Sequence, residues 1–169
     1  GNTVENFEGS IMEEPTYVYN NVFSDNDHGI TGGENMLVFN NIIMNSSTVG
    51  IKKLDAGSIA DYNCIFNNGT DFLNADFGPN NIFEDPMVKT DFSLEDNSPC
   101  IDTGIKTFSH NGLSHTVNDE DILGDLPDRG AKEYYDGATA ENLAPSVSAG
   151  PDIVIEAPDN TLSLIHISE

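Results

Sequence analysis

The sequence of 169 residues holds no tryptophan, two cysteines and only six lysines and arginines. Each scarcity excludes something. The six cations are Lys52, Lys53, Lys89, Lys106, Arg129 and Lys132, against 29 aspartates and glutamates, for a net charge of −23. Binding phosphate needs clustered cations, so neither nucleic acid nor an anionic membrane is expected as a partner. The acids keep the surface solvated and fit a secreted bacterial protein. Cys64 and Cys100 lie too far apart, and are too few, for a disulfide-stapled mini-fold or a metal-site spacing. Their neighbours (NCIF and SPCI) are apolar, which favours two buried thiols over a bridge or a nucleophile. No apolar run approaches the roughly 20 residues of a membrane helix, so membrane insertion is not expected. Phosphate loops, nucleophile elbows and metalloprotease motifs are also lacking. The opening GNTVENFEG has neither an initiator methionine nor a signal pattern, and the expectation is an internal piece of a longer protein.

What the sequence does have is a repeat. VYNNVF (18–23), VFNNII (38–43), DYNCIF (61–66) and PNNIF (79–83) align on Asn21, Asn41, Asn63 and Asn81. Between them DHGIT (27–31) and TVGIK (48–52) echo each other on Gly29 and Gly50. A period near 20 residues calls for a repeat architecture before any single-segment reading. Helical repeats run longer and favour Ala, Leu, Glu and Lys, whereas these runs are β-branched and aromatic, bounded by Asn, Asp, Gly and Ser. One strand-forming turn stacked on the next gives a parallel β-helix. Asparagine suits its corners because it tolerates the left-handed backbone region. Stacked amides can also hydrogen-bond along the axis. Val22, Ile42, Cys64 and Ile82 form one apolar column, and Phe23, Ile43, Ile65 and Phe83 another. One of the two faces the interior, and parity does not say which.

After Asn81 the rhythm changes. Asp85-Pro86, a short strand Phe92-Ser93-Leu94, SPCIDTG (98–104), Asp121 to Arg129 and GAKEY (130–134) follow in order. This succession resembles the C-terminal end of right-handed parallel β-helix proteins of the pectate-lyase-like superfamily, choice-of-anchor Q type. Thr103 and Lys132 depart from that pattern. The resemblance covers roughly residues 15–137 and implies an all-β fold, a right-handed parallel β-helix solenoid ending in a cap. Coils are expected over 1–90 and the cap over 91–137. In the cap, Asp102 and Asp121 are expected to accept bonds from loop backbone, and Arg129 to pair with a carboxylate. Residues 138–146 have linker composition. Residues 147–169 resemble the truncated start of a PKD/Ig-like β-sandwich module, ending in a tail (LIHISE) that looks non-native.

Chemistry-bearing residues are few. SDNDHG (24–29) offers Asp25 and Asp27 as candidate Ca²⁺ ligands, although the same string suits a solvated turn. Lys52, Lys53 and Asp55 are the weak candidates for catalysis. Aligning Gly29 with Gly50 puts Asp27 over Thr48, so the acids and the lysines need not share a groove. His28 reads as a surface residue, and His110 and His115 lack the context of a zinc site. VNDEDILGD (117–125) fails as an EF-hand, with Leu123 and Gly130 at positions that need ligands. The resemblance implies a secreted or cell-surface scaffold of a protein that acts on or binds polysaccharide, this chain being non-catalytic. Two alternatives stay open, a non-enzymatic adhesin or stalk, and a lyase, hydrolase or epimerase whose groove lies on upstream coils. Its other partners would be upstream coils and downstream sandwich modules of the same chain.

Overall fold

The structure is a computed structural model that describes residues 15–55 and 57–136. The expected linker (138–146), the PKD-like start (147–169) and the first fourteen residues of the coil region lie outside the described residues. What is described is all-β, with one short 3-10 turn at Asp119–Asp121. No helix among the described residues is long and apolar enough to cross a membrane.

Each of the first three asparagine runs is two strands with a corner inside it, and the fourth adds a single bridge at Ile82. The first gives β1 (Thr16–Tyr19) and β2 (Val22–Ser24), followed by β3 (His28–Thr31). The second gives β4 (Met36–Phe39) and β5 (Ile42–Met44), then β6 (Val49–Leu54). The third gives β7 (Ile59–Ala60) and β8 (Cys64–Phe66), then β9 (Phe72–Ala75). These nine strands form three parallel sheets, ordered β1-β4-β7, β2-β5-β8 and β3-β6-β9. The register pairs Val22 with Ile42 and Ile42 with Cys64, and a further bridge joins Cys64 to Ile82. The column read from the sequence is therefore the observed one.

The two asparagines of each pair divide the labour. The first makes the corner: Asn20 (φ 52°) and Asn40 (φ 53°) are left-handed, and Tyr62 (φ 57°) takes that place in the third run. The second asparagine builds a ladder. Asn41 Oδ1 accepts from the backbone N and the Nδ2 of Asn21, at 3.1 and 3.3 Å. Asn63 Oδ1 does the same for Asn41, at 3.1 and 2.9 Å, and Asn81 Oδ1 for Asn63, at 2.9 and 3.1 Å. Asn41 and Asn63 have no exposed surface, so the ladder satisfies backbone groups that water cannot reach. A second left-handed column, Asp25, Asn45 and Asn67, ends β2, β5 and β8.

Inside the three sheets Phe23, Ile30, Val38, Ile43, Ile51 and Ile65 pack into one cluster. Each such side chain contributes roughly 1.5–3 kcal/mol on burial. The middle of the other column is buried as well, which parity did not foresee, while Phe83 at the end of the inner column is exposed. Ile42 and Cys64 face out from β5 and β8 but are covered by Leu94 and Cys100, with Val88, Ile101 and Tyr134 around them. The outer face of the first sheet is covered too. Leu37 and Phe39 pack against Phe108 and Val117 of an antiparallel hairpin, β10 (Thr107–His110) and β11 (Leu113–Thr116). The expected strand at Phe92-Ser93-Leu94 is instead a turn with a single bridge, Val88 to Leu94, because Phe92 is left-handed (φ 63°). The glycine echo has a steric cause. A Cβ on Gly29 would lie 2.5 Å from the Gly50 carbonyl oxygen and 2.6 Å from Ile43 Cγ2.

Candidate functional site

Asp25 and Asp27 sit where the chain turns from β2 into β3. Asp25 stands in the left-handed column and accepts the Ser24 hydroxyl at 2.5 Å. Asp27 Oδ1 accepts the hydroxyls of Ser47 (2.9 Å) and Thr48 (2.6 Å), and its Oδ2 lies 3.0 Å from His28 Nδ1. The Thr48 hydroxyl first, and then that of Ser47, hold the Asp27 carboxyl below its ordinary value. Its backbone oxygen also accepts from Thr48 N at 3.0 Å, so the alignment of Asp27 over Thr48 is the observed one. The carboxylate tethers one turn of chain to the next. Among the described residues no group of three or more His, Cys, Asp or Glu side chains is placed to hold a metal ion.

Lys52 and Lys53 lie on β6. Lys52 pairs in register with Thr31 and Leu73, and faces out of the third sheet because its neighbour Ile51 faces in. Lys53 is left-handed (φ 56°) and exposed, at the bend that turns Leu54 back toward the core. Asp55 is exposed beyond it, its backbone N donating to the Gly33 carbonyl at 3.1 Å. Lys52 is near enough to Asp27 to add a minor lowering of that carboxyl's pKa. This third sheet is the one whose outer face neither the hairpin nor residues 86–104 cover.

A dense polar constellation lies among residues 102–134, expected from the sequence to form a cap, and it was largely missed in the sequence. Asp102 Oδ1 accepts from the backbone of Asp125 (3.0 Å) and Leu126 (3.3 Å), as expected. Asp121 instead lies in the 3-10 turn and accepts from the Asn118 side chain. Arg129 does not pair with a carboxylate. Its guanidinium donates to carbonyl oxygens, Nη1 to Asn63 and Asn80 (both 2.9 Å), and Nη2 to Thr103 (2.7 Å). It is 4 % exposed, and burial lowers its pKa. A guanidinium presents fixed donors in a plane, so one side chain clamps three strands of chain. Asp128, equally buried, accepts from Asp102 N at 2.7 Å and from Tyr134 N. Glu133 accepts from Leu123 N (3.2 Å) and Asp128 N (3.0 Å), and burial pushes its carboxyl up to about 7. Burial raises Asp128 as well. The string DRGAKE contained these residues, but nothing in it reveals that they turn inward.

His115 stacks with Tyr17 and Tyr19, ring centroids 4.8 and 4.4 Å apart, and so belongs to the hairpin's packing. An open hollow of about 390 Å³ lies between β5, β8 and the cap. Met44, Phe66, Met87 and Val88 line it, with Asp85 and Glu95 at its polar side. None of the site residues read from the sequence borders it. No protein-family model matches this chain, nor does any curated protein or solved structure.

Proposed function

We propose that the chain is the C-terminal part of a right-handed parallel β-helix of the pectate-lyase-like superfamily, choice-of-anchor Q type. In this reading it is a non-catalytic scaffold of a secreted or cell-surface protein that acts on or binds polysaccharide. The observation that carries the reading is the asparagine ladder running from Asn21 to Asn81 along the corner between the first two of three parallel sheets. A chain that returns to the same three sheets at intervals of 20 to 22 residues is organised as stacked turns. The order of motifs after Asn81 supplies the link to the superfamily. The Asp27 carboxylate is taken up by the hydroxyls of Ser47 and Thr48, which supports a scaffold or adhesin rather than an active lyase or hydrolase.

The third sheet is where an extended glycan would lie, since neither the hairpin nor residues 86–104 pack against its outer face. Thr31, Lys52 and Leu73 form a row across it, with hydroxyl, ammonium and apolar groups in line. A net charge of −23 repels polyanions and favours an uncharged polysaccharide. The test is titration of the ¹⁵N-labelled protein with a soluble uncharged β-glucan and, separately, with polygalacturonate, while reducing ends are assayed. Shifts confined to the amides around Thr31, Lys52 and Leu73 with the β-glucan, and no new reducing ends, are the expected result. Bond cleavage would make the chain an enzyme, and an unchanged spectrum with both polymers would remove the glycan reading.

A further inference from the structure

The cap is held to the repeats by main-chain and side-chain hydrogen bonds, and at one place it also brings two thiols together. Cys64 is in β8, on the outward column of the second sheet. Cys100 lies 36 residues later in the cap. Both are fully buried and belong to the same apolar cluster with Ile42 and Leu94. Among the described residues that cluster holds only five buried side chains, and the two thiols are two of them. Cys64 Sγ also donates to the Glu84 carbonyl at 3.3 Å, and Cys100 N donates to Ser98 Oγ at 3.2 Å. The two backbones are fixed relative to one another by a single residue. Arg129 N donates to the Cys100 carbonyl at 3.0 Å, and Arg129 Nη1 to the Asn63 carbonyl next to Cys64.

We propose that Cys64 and Cys100 are a preformed cross-linking site, which closes to an intramolecular disulfide between the repeat region and the cap under thiol–disulfide exchange. Apolar packing alone does not require two thiols in one cluster, because any pair of small hydrophobes would fill the space. A disulfide requires the sulfurs to approach to about 2.05 Å with the backbones already at a suitable separation. Two buried thiols in one small apolar cluster, on backbones tied through Arg129, meet its first condition, that the two cysteines be neighbours.

The exchange balances with a small disulfide such as oxidised glutathione. One cysteine thiolate attacks a glutathione sulfur and releases one glutathione thiolate, leaving a mixed disulfide. The second cysteine attacks the first cysteine's sulfur and releases the other glutathione. Two protein thiols lose two electrons and two protons. The oxidant gains the electrons, and its leaving thiolates take the protons. With the folded thiols buried, the step belongs to folding or to opening of the cap.

The full chain is to be refolded from denaturant in a glutathione buffer, denatured again, alkylated and weighed. The expected product is a monomer lighter by two hydrogen atoms, with neither cysteine alkylated. Its melting temperature should fall on the order of 10 °C when dithiothreitol is added, as expected for a closed loop of this length. Cys64→Ala and Cys100→Ala should each lose the dithiothreitol effect and expose one alkylatable thiol. Two alkylated cysteines, glutathione adducts or disulfide-linked dimers from the wild-type chain would overturn the proposal. The alkylation count on the wild type stands even where a variant fails to fold.

Discussion

Asn40 and Ile105, 65 residues apart, exchange two hydrogen bonds through one side chain: Asn40 Nδ2 donates to the Ile105 carbonyl at 2.9 Å, and Ile105 N donates to Asn40 Oδ1 at 2.8 Å. The amide replaces a missing stretch of backbone and seats the start of the hairpin segment on the second corner. Asn40 is also left-handed, which an amide side chain tolerates. Asn40→Ala removes both bonds and adds backbone strain, and should cost about 2–4 kcal/mol in denaturant unfolding. Asn40→Asp keeps the acceptor but sets a carboxylate against the Ile105 carbonyl, and should lose a similar amount. Fast hydrogen exchange at Ile105 N in both variants would locate the damage. An unchanged exchange rate there would show that the amide is not the tether.

The second corner column contains a gap. Asn26, Ser46 and Asn68 each lie five residues after a ladder asparagine, and Asn68 Oδ1 accepts from Ser46 N at 2.9 Å. The serine is too short to continue upward. Asn26 Nδ2 and Ser46 Oγ are both buried without a hydrogen-bond partner. Ser46→Asn should complete this ladder and raise stability by about 1 kcal/mol, read as a higher melting temperature. A lower one would mean that the corner lacks room for an amide.

Stability should rise as pH falls from 8 toward 5. Glu133 titrates near 7 in the folded chain, above the ordinary 4.5, because burial disfavours its charge. Between those values the folded state binds more protons than the unfolded one, so each step upward in pH weakens the fold. Its contribution is present in full below about 4.5 and is lost as pH passes 7. Glu133 is only partly buried, so solvent screening reduces the effect to about 1–2 kcal/mol. The net charge of −23 pushes the same way. Glu133→Gln should flatten the melting curve between pH 5 and 8, and an unchanged slope would assign the whole effect to general repulsion.

Asp27 should respond to pH in the opposite sense. Its carboxyl is held below the ordinary value by Thr48 and Ser47, so its contribution is present above the unfolded pKa and fades as pH falls through the folded one. Millimolar calcium should leave the melting temperature unchanged, since these oxygens already bind hydroxyls. A rise with calcium that Asp25→Ala/Asp27→Ala abolishes would restore the metal site read from the sequence.

Much of the repeat was legible because a stacked chain must place like residues at like positions. Asn21, Asn41, Asn63 and Asn81 mark the ladder, and the spacing of Gly29 and Gly50 follows from the close approach of successive turns. The corner at Tyr62 was not legible, since a tyrosine has no general preference for the left-handed region. There its ring packs edge-on to Phe108 of the hairpin, a contact made across a long sequence gap. The burial of Ile42 and Cys64 beside that of Phe23, Ile43 and Ile65 was hidden for the same reason, because their cover comes from residues beyond 86, whereas Phe83, expected to continue the inner column, is exposed. Among the candidate site residues the sequence offered Asp25 and Asp27 as calcium ligands and Lys52, Lys53 and Asp55 for catalysis, from residue type and turn composition alone. It did not reveal that the inward-turned polar residues are Arg129, Asp128 and Glu133.

The most direct test of the stacked architecture is a long-range HNCO spectrum of the labelled chain, which detects coupling across hydrogen bonds. Cross-peaks from Asn41 N to the Asn63 side-chain carbonyl, and from Asn63 N to that of Asn81, are the expected result. Coupling of these amides to any other carbonyl would contradict both the ladder and the register of the three sheets.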